Sequence, residues 1–95
     1  MPIVKVGGFN YKKSTIPGKK LMVLLKGGRS IHFGDSSAEH YKDKTGIWKS
    51  KDHLDEKRRK SYLARSGGIK RKDGTLTKND PNSPNYHAIR ILWNG

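Results

Sequence analysis

The chain contains no cysteine, only eight acidic side chains and no long apolar run, and each shortage closes off a class of protein. Without cysteine there is neither a disulfide framework nor a thiolate zinc site, a composition compatible with an intracellular or virion setting. The longest apolar run, residues 21–25, falls far short of the roughly 20 residues that cross a bilayer as a helix. The opening Met-Pro-Ile-Val-Lys-Val-Gly-Gly is too short and too charged for a signal peptide, so a soluble protein with no membrane partner is expected. Hydrophobic residues make up 32% of the 95 and the mean hydropathy is −0.90, which allows one domain, residues 1–95, around a small core. Signatures of catalysis are missing too. There is no G-x-S-x-G, no Gly-Lys-Ser/Thr behind the Gly pairs and no Gly-rich dinucleotide turn, so neither an enzyme nor a cofactor is expected.

Against eight Asp and Glu stand 21 Lys and Arg, a formal net charge of +13. Such a charge repels itself in a compact domain and attracts polyanions from a distance. It is also concentrated: over residues 49–72, ten basic side chains face three acidic ones, an excess of seven and more than half the total. Nucleic acid is the expected partner, DNA ahead of RNA. The bland alternative is a merely solvated basic surface.

The centre of that charge is S-K-D-H-L-D-E-K-R-R-K-S-Y-L-A-R-S-G-G, residues 50–68, which reads as one helix over about 52–65. Asp52 suits the N-cap, Asp55 and Glu56 favour the positive end of the helix dipole, and Gly67-Gly68 offers a left-handed stop. Leu54, Arg58, Ser61, Tyr62 and Arg65 share a face at spacings of three and four. That is a poor core stripe and a good contact surface.

Ahead of this helix, residues 3–6 and 9–11 are short strand candidates, and Pro17-Gly18 suits a type II turn. Residues 19–26 and 29–33 read as a hairpin around a two-residue Gly27-Gly28 turn, with Leu21, Val23 and Leu25 on one face and Ile31 and Phe33 on the partner strand. A capped helical turn is expected near Ser36 and Glu39, then a loop presenting Ile47 and Trp48, with Trp48 read as core. Residues 67–83 read as a flexible loop. Ser83-Pro84 then opens a second helix, about 84–93, whose Tyr86, Ile89, Arg90 and Trp93 make it the cover for the sheet. The expected fold is α+β: a small N-terminal antiparallel hairpin or three-stranded sheet packed against two helices.

The candidate nucleic-acid contacts are Lys57, Arg58, Arg59, Lys60, Arg65, Lys70, Arg71 and Lys72 for phosphates, with Tyr62 to stack on bases where it is exposed. Lys19, Lys20, Lys26 and Arg29, turned outward from the hairpin, could lie in a major groove, although a scaffold is the simpler reading. The four histidines, His32, His40, His53 and His87, show no helical i, i+4 pair, so no metal is expected. Asp52-His53, Asn79 and His87 follow the order of an HNH-type nuclease, but His53 opens a helix here rather than ending a strand, and a helix N-terminal contact is the preferred reading.

The series His32-Phe33-Gly34, Tyr41, His53-x-Asp55, Arg58-Arg59, Tyr62, Arg65 and Leu92-Trp93 resembles a small family of basic proteins of large DNA viruses and marine tailed phages, over roughly residues 12–94. The resemblance implies a viral origin, in the virion or the host cytoplasm, and hands over no activity. A small basic protein of a virus could neutralise the genome, serve as a minor capsid or cement component beside coat proteins, or dock on an acidic host protein. Burial of Trp48, Tyr86 and Trp93 within the monomer would favour a self-sufficient binding module; an apolar patch including Trp93 would favour an assembly subunit.

Overall fold

A computed structural model describes residues 3–95. Four strands, β1 (Val4–Val6), β2 (Phe9–Lys13), β3 (Lys19–Leu24) and β4 (Ser30–Asp35), form an antiparallel meander in the order β1-β2-β3-β4. Two helices follow, α1 (Glu56–Ser66) and α2 (Pro84–Leu92). The α+β class is therefore as expected, with one strand more than the sequence promised. Among the described residues no helix is long and apolar enough to cross a membrane.

The register builds the core. Tyr11 lies opposite Val23, which lies opposite Ile31, and Leu21 lies opposite Phe33. Side chains two apart on a strand share a face, so Tyr11, Leu21, Val23 and Phe33 meet Ala88, Ile91 and Leu92 of α2. Ser83 caps α2 through the Asn85 N–H and Pro84 takes the first helical position, where its missing N–H costs nothing. A buried hydrogen-bonded pair locks the same interface: Tyr11 Oη lies 2.8 Å from Nδ1 of His87, whose Nε2 lies 2.7 Å from the Pro81 carbonyl. A carbonyl only accepts, so Nε2 carries the ring proton and Nδ1 accepts from the tyrosine.

Local corrections follow from the same chemistry. The two-residue hairpin is at Gly7-Gly8, both at positive φ as a type I′ turn requires. Gly27-Gly28 instead belongs to a 3₁₀ turn between β3 and β4, closed by Leu25 N–H to Arg29 O at 2.8 Å. No helix forms near Ser36; the Asp35 carboxylate holds both the Ser37 N–H and its hydroxyl in a tight turn. Lys20, expected outward, is 1% exposed, and its ammonium donates to Nδ1 of His40 at 2.8 Å. The other ring nitrogen of His40 then donates to Asp52 at 2.6 Å. Trp48 is half-buried against the core as expected, its indole N–H on the Lys20 carbonyl at 2.8 Å.

That buried chain explains why α1 starts late. Asp52 is committed to His40 and to the Asp43 N–H, and Leu54 sits at φ 55, outside helical space. Asp55 becomes the cap, accepting from the N–H groups of Lys57 and Arg58. At the other end Gly67 is right-handed, at φ −67, rather than the left-handed stop.

Candidate nucleic-acid interface

α1 has two unlike sides. At 3.6 residues per turn, Lys57, Arg58, Lys60, Ser61, Ala64 and Arg65 fall on one arc and are all exposed, while Arg59, Tyr62, Leu63 and Ser66 turn inward. The outer arc carries four cations and no carboxylate. Arg58 reaches Glu39 at 3.2 Å with both side chains about half exposed, an arrangement of little energetic weight. Lys57, Lys60 and Arg65 have no acidic partner among the described residues. Lys57, Arg58, Ser61 and Arg65, together with Trp93, line an open depression of about 270 Å³.

The inward arc removes two expected contacts from the interface. Tyr62 lies flat on Trp93, ring centres 4.0 Å apart at an interplanar angle of 7°, and burial pushes its hydroxyl pKa up. No nucleobase can share that face. Arg59 is a clamp: Nε donates to the Trp93 carbonyl at 3.0 Å, Nη2 to the Asn94 carbonyl at 2.7 Å and Nη1 to Glu56 at 2.7 Å. Its guanidinium also lies 5.5 Å from the centre of the Tyr41 ring. It joins the start of α1 to the turn after α2.

Residues 67–83 have structure of their own. Lys70 and Leu76 form an antiparallel bridge, Arg71 N–H donates to Thr75 O at 2.9 Å, and Gly74 N–H returns to Arg71 O at 3.0 Å. Asp73 accepts from the Thr75 N–H, which holds its carboxyl below the usual range. The base of this finger is closed by Thr77, whose N–H and hydroxyl both donate to Ile69 O. It is tied to the end of α1 through Asn85 Nδ2, which bonds both Ser66 O and Thr77 Oγ1 at 2.8 Å. Arg71 is turned back onto Asp80 as an ion pair. Lys70 and Lys72 stay exposed, with no acidic partner among the described residues.

The other aromatic rings are occupied as well. Tyr11 and Phe33 are 1% exposed. Phe9 packs on Tyr86 and His87, and the Arg90 guanidinium covers Tyr86 at 4.4 Å. Tyr41 meets His53 and Arg59, and Lys13 sits 5.2 Å from the centre of the Trp48 ring. The large exposed apolar residues, Ile3, Ile16, Leu54 and Ile69, lie far apart in the chain.

The nuclease-like order does not assemble. His87 is buried against Tyr11 and Pro81, Asp52 serves His40, and Asn79 lies in a 3₁₀ turn. Nδ1 of His53 accepts from the Asp55 N–H, while Nε2 is buried without a partner beside the Trp93 ring. Among the described residues no three His, Asp or Glu side chains converge to hold a metal. Sequence reasoning missed the Lys20–His40–Asp52 chain and the Tyr62–Trp93 stack, since neither has a local pattern. The one available signal was a lysine, Lys20, directly before the apolar run of β3. Comparison with family models, curated proteins and solved structures gives no match for this chain.

Proposed function

We propose that this chain is a non-catalytic nucleic-acid-binding module that works by neutralising phosphates. The observation that carries the reading is the outer arc of α1, where Lys57, Arg58, Lys60 and Arg65 stand clear of the fold with only one weak acidic contact among them. Lys70 and Lys72 extend the track beyond the C-terminal end of the helix, whereas Arg59, Arg71 and Tyr62 support the surface without belonging to it. Such contacts release condensed counterions, which makes affinity fall steeply with salt. Engagement of Trp48, Tyr86 and Trp93 within the monomer supports a self-sufficient module over a capsid or cement subunit. With the resemblance to viral proteins, the natural polyanion is a viral genome, DNA before RNA.

The test is binding of a labelled random-sequence duplex across a salt series. Six phosphate contacts correspond to a slope of log K on log salt of about −5. Negligible binding at low salt would overturn the proposal and direct attention to an acidic host protein.

A further inference from the structure

We infer that the interface is built for a double helix rather than a single strand, with α1 and the 69–77 finger as two fixed points of contact. This rests on the nucleic-acid reading above and adds the class of partner. Sequence-tolerant binding of single strands depends on bases stacking on free aromatic faces along a basic groove. Of the eight Phe, Tyr and Trp rings, Trp93 borders the basic arc in its open depression, with Tyr62 stacked on one of its faces and the His53 ring packed 5.3 Å away.

What the surface does offer is rigid charge. The cations of α1 keep a spacing set by the helix, about 12 Å from Lys57 to Arg65 at 1.5 Å per residue. The finger is tied to the end of that helix by the Asn85 bonds to Ser66 and Thr77, and Arg71 pairs with Asp80 just beyond the finger. Two preset cationic elements match a partner whose phosphates are also preset. A duplex fixes its phosphates and carries twice the charge per length of one strand. A flexible strand must be ordered on binding, with little stacking to offset that cost.

The experiment compares a duplex with one of its own strands, over the same salt series, following both affinity and tryptophan emission. The duplex is expected to bind at least about 10-fold more tightly at every salt concentration, with emission nearly unchanged by the single strand. Replacing Lys70→Ser and Lys72→Ser together should flatten the duplex slope by about 1.8 and lower affinity on the order of 50-fold at 0.1 M salt. Replacing Lys19→Ser and Lys26→Ser removes the same charge from the sheet and should do far less. Equal binding of both probes with quenched tryptophan emission would overturn the inference and leave the nucleic-acid reading standing. So would equal losses from the two double variants, since net charge alone would then explain the binding. Failure of both probes to bind would instead overturn the nucleic-acid reading itself.

Discussion

The two helices divide the labour of the molecule. α2, nine residues long, buries His87, Ala88, Ile91 and Leu92 on the side of the sheet and Ile89 on the side of Leu63. α1, eleven residues long, buries only Ser66 and turns four cations outward. A helix of this length gains most of its stability from packing an apolar face, and α1 has little such face to pack. It is held instead by polar and aromatic side chains: the Asp55 cap, the Arg59 clamp and the Tyr62–Trp93 stack. An element kept in place by so few apolar contacts is free to spend its exposed surface on a partner.

The contrast breaks most sharply when one charge is placed on each helix. Ile91→Asp would bury an unpaired carboxylate at a 2% exposed position, at a cost of several kcal/mol that a domain of this size does not hold in reserve. Loss of the cooperative thermal transition is expected. Ser61→Asp, on the outer arc of α1, should leave that transition in place while weakening duplex binding. A folded Ile91→Asp variant would move the core away from α2.

How far this division could be read in advance differs between the helices. The bounds of α2 were legible to within a residue, because Ser83 and Pro84 are local signals. Its core face was not, since Ala88, Ile91 and Leu92 enter the core with the sheet where Tyr86, Ile89, Arg90 and Trp93 were expected to cover it. The outer cations of α1 were legible from local signals too. Its start was not, since Asp52 and Asp55 are equally good caps on paper. Only the distant His40 claims Asp52 and leaves Asp55 to cap the helix. Tyr62 and Arg59 were misplaced likewise: their partners, Trp93 and the carbonyls after α2, lie more than 30 residues away. Local chemistry predicts elements and caps; contacts across the fold decide which capable side chain is already in use.

Acid should strain both halves through their histidines. Burial pushes His40 below its ordinary 6.5, reinforced by the Lys20 ammonium, with Asp52 and Asp43 opposing. Burial also lowers His87, with Arg90 adding to it and the Pro81 carbonyl opposing. The unfolded chain therefore binds more protons than the folded one once pH falls through 6.5. The stability that neutral histidines confer is complete above that value and is lost progressively below it. The melting temperature should fall between about pH 7.5 and about pH 5. A flat profile would mean that both rings accept protons without disturbing the Lys20 and Tyr11 contacts.

The smallest effect is the sharpest test, because it separates two neighbouring arginines. Arg59 is about a quarter exposed and gives three hydrogen bonds, two of them to carbonyls after α2; Arg58 is half exposed and meets only Glu39. Arg59→Ala should lower stability by about 1–2 kcal/mol, the range for a hydrogen-bonded charged group at a partly buried site. Any binding loss should be recovered by conditions that restore the fold, such as an added osmolyte. Arg58→Ala should leave the thermal transition where it was and reduce the salt slope for duplex by about 0.9, one phosphate. Denaturation and salt titration of the two variants read these out separately. If Arg59→Ala flattens the salt slope at unchanged stability, the clamp is itself a phosphate contact, and the inner and outer sides of α1 are not the separate surfaces their packing makes them.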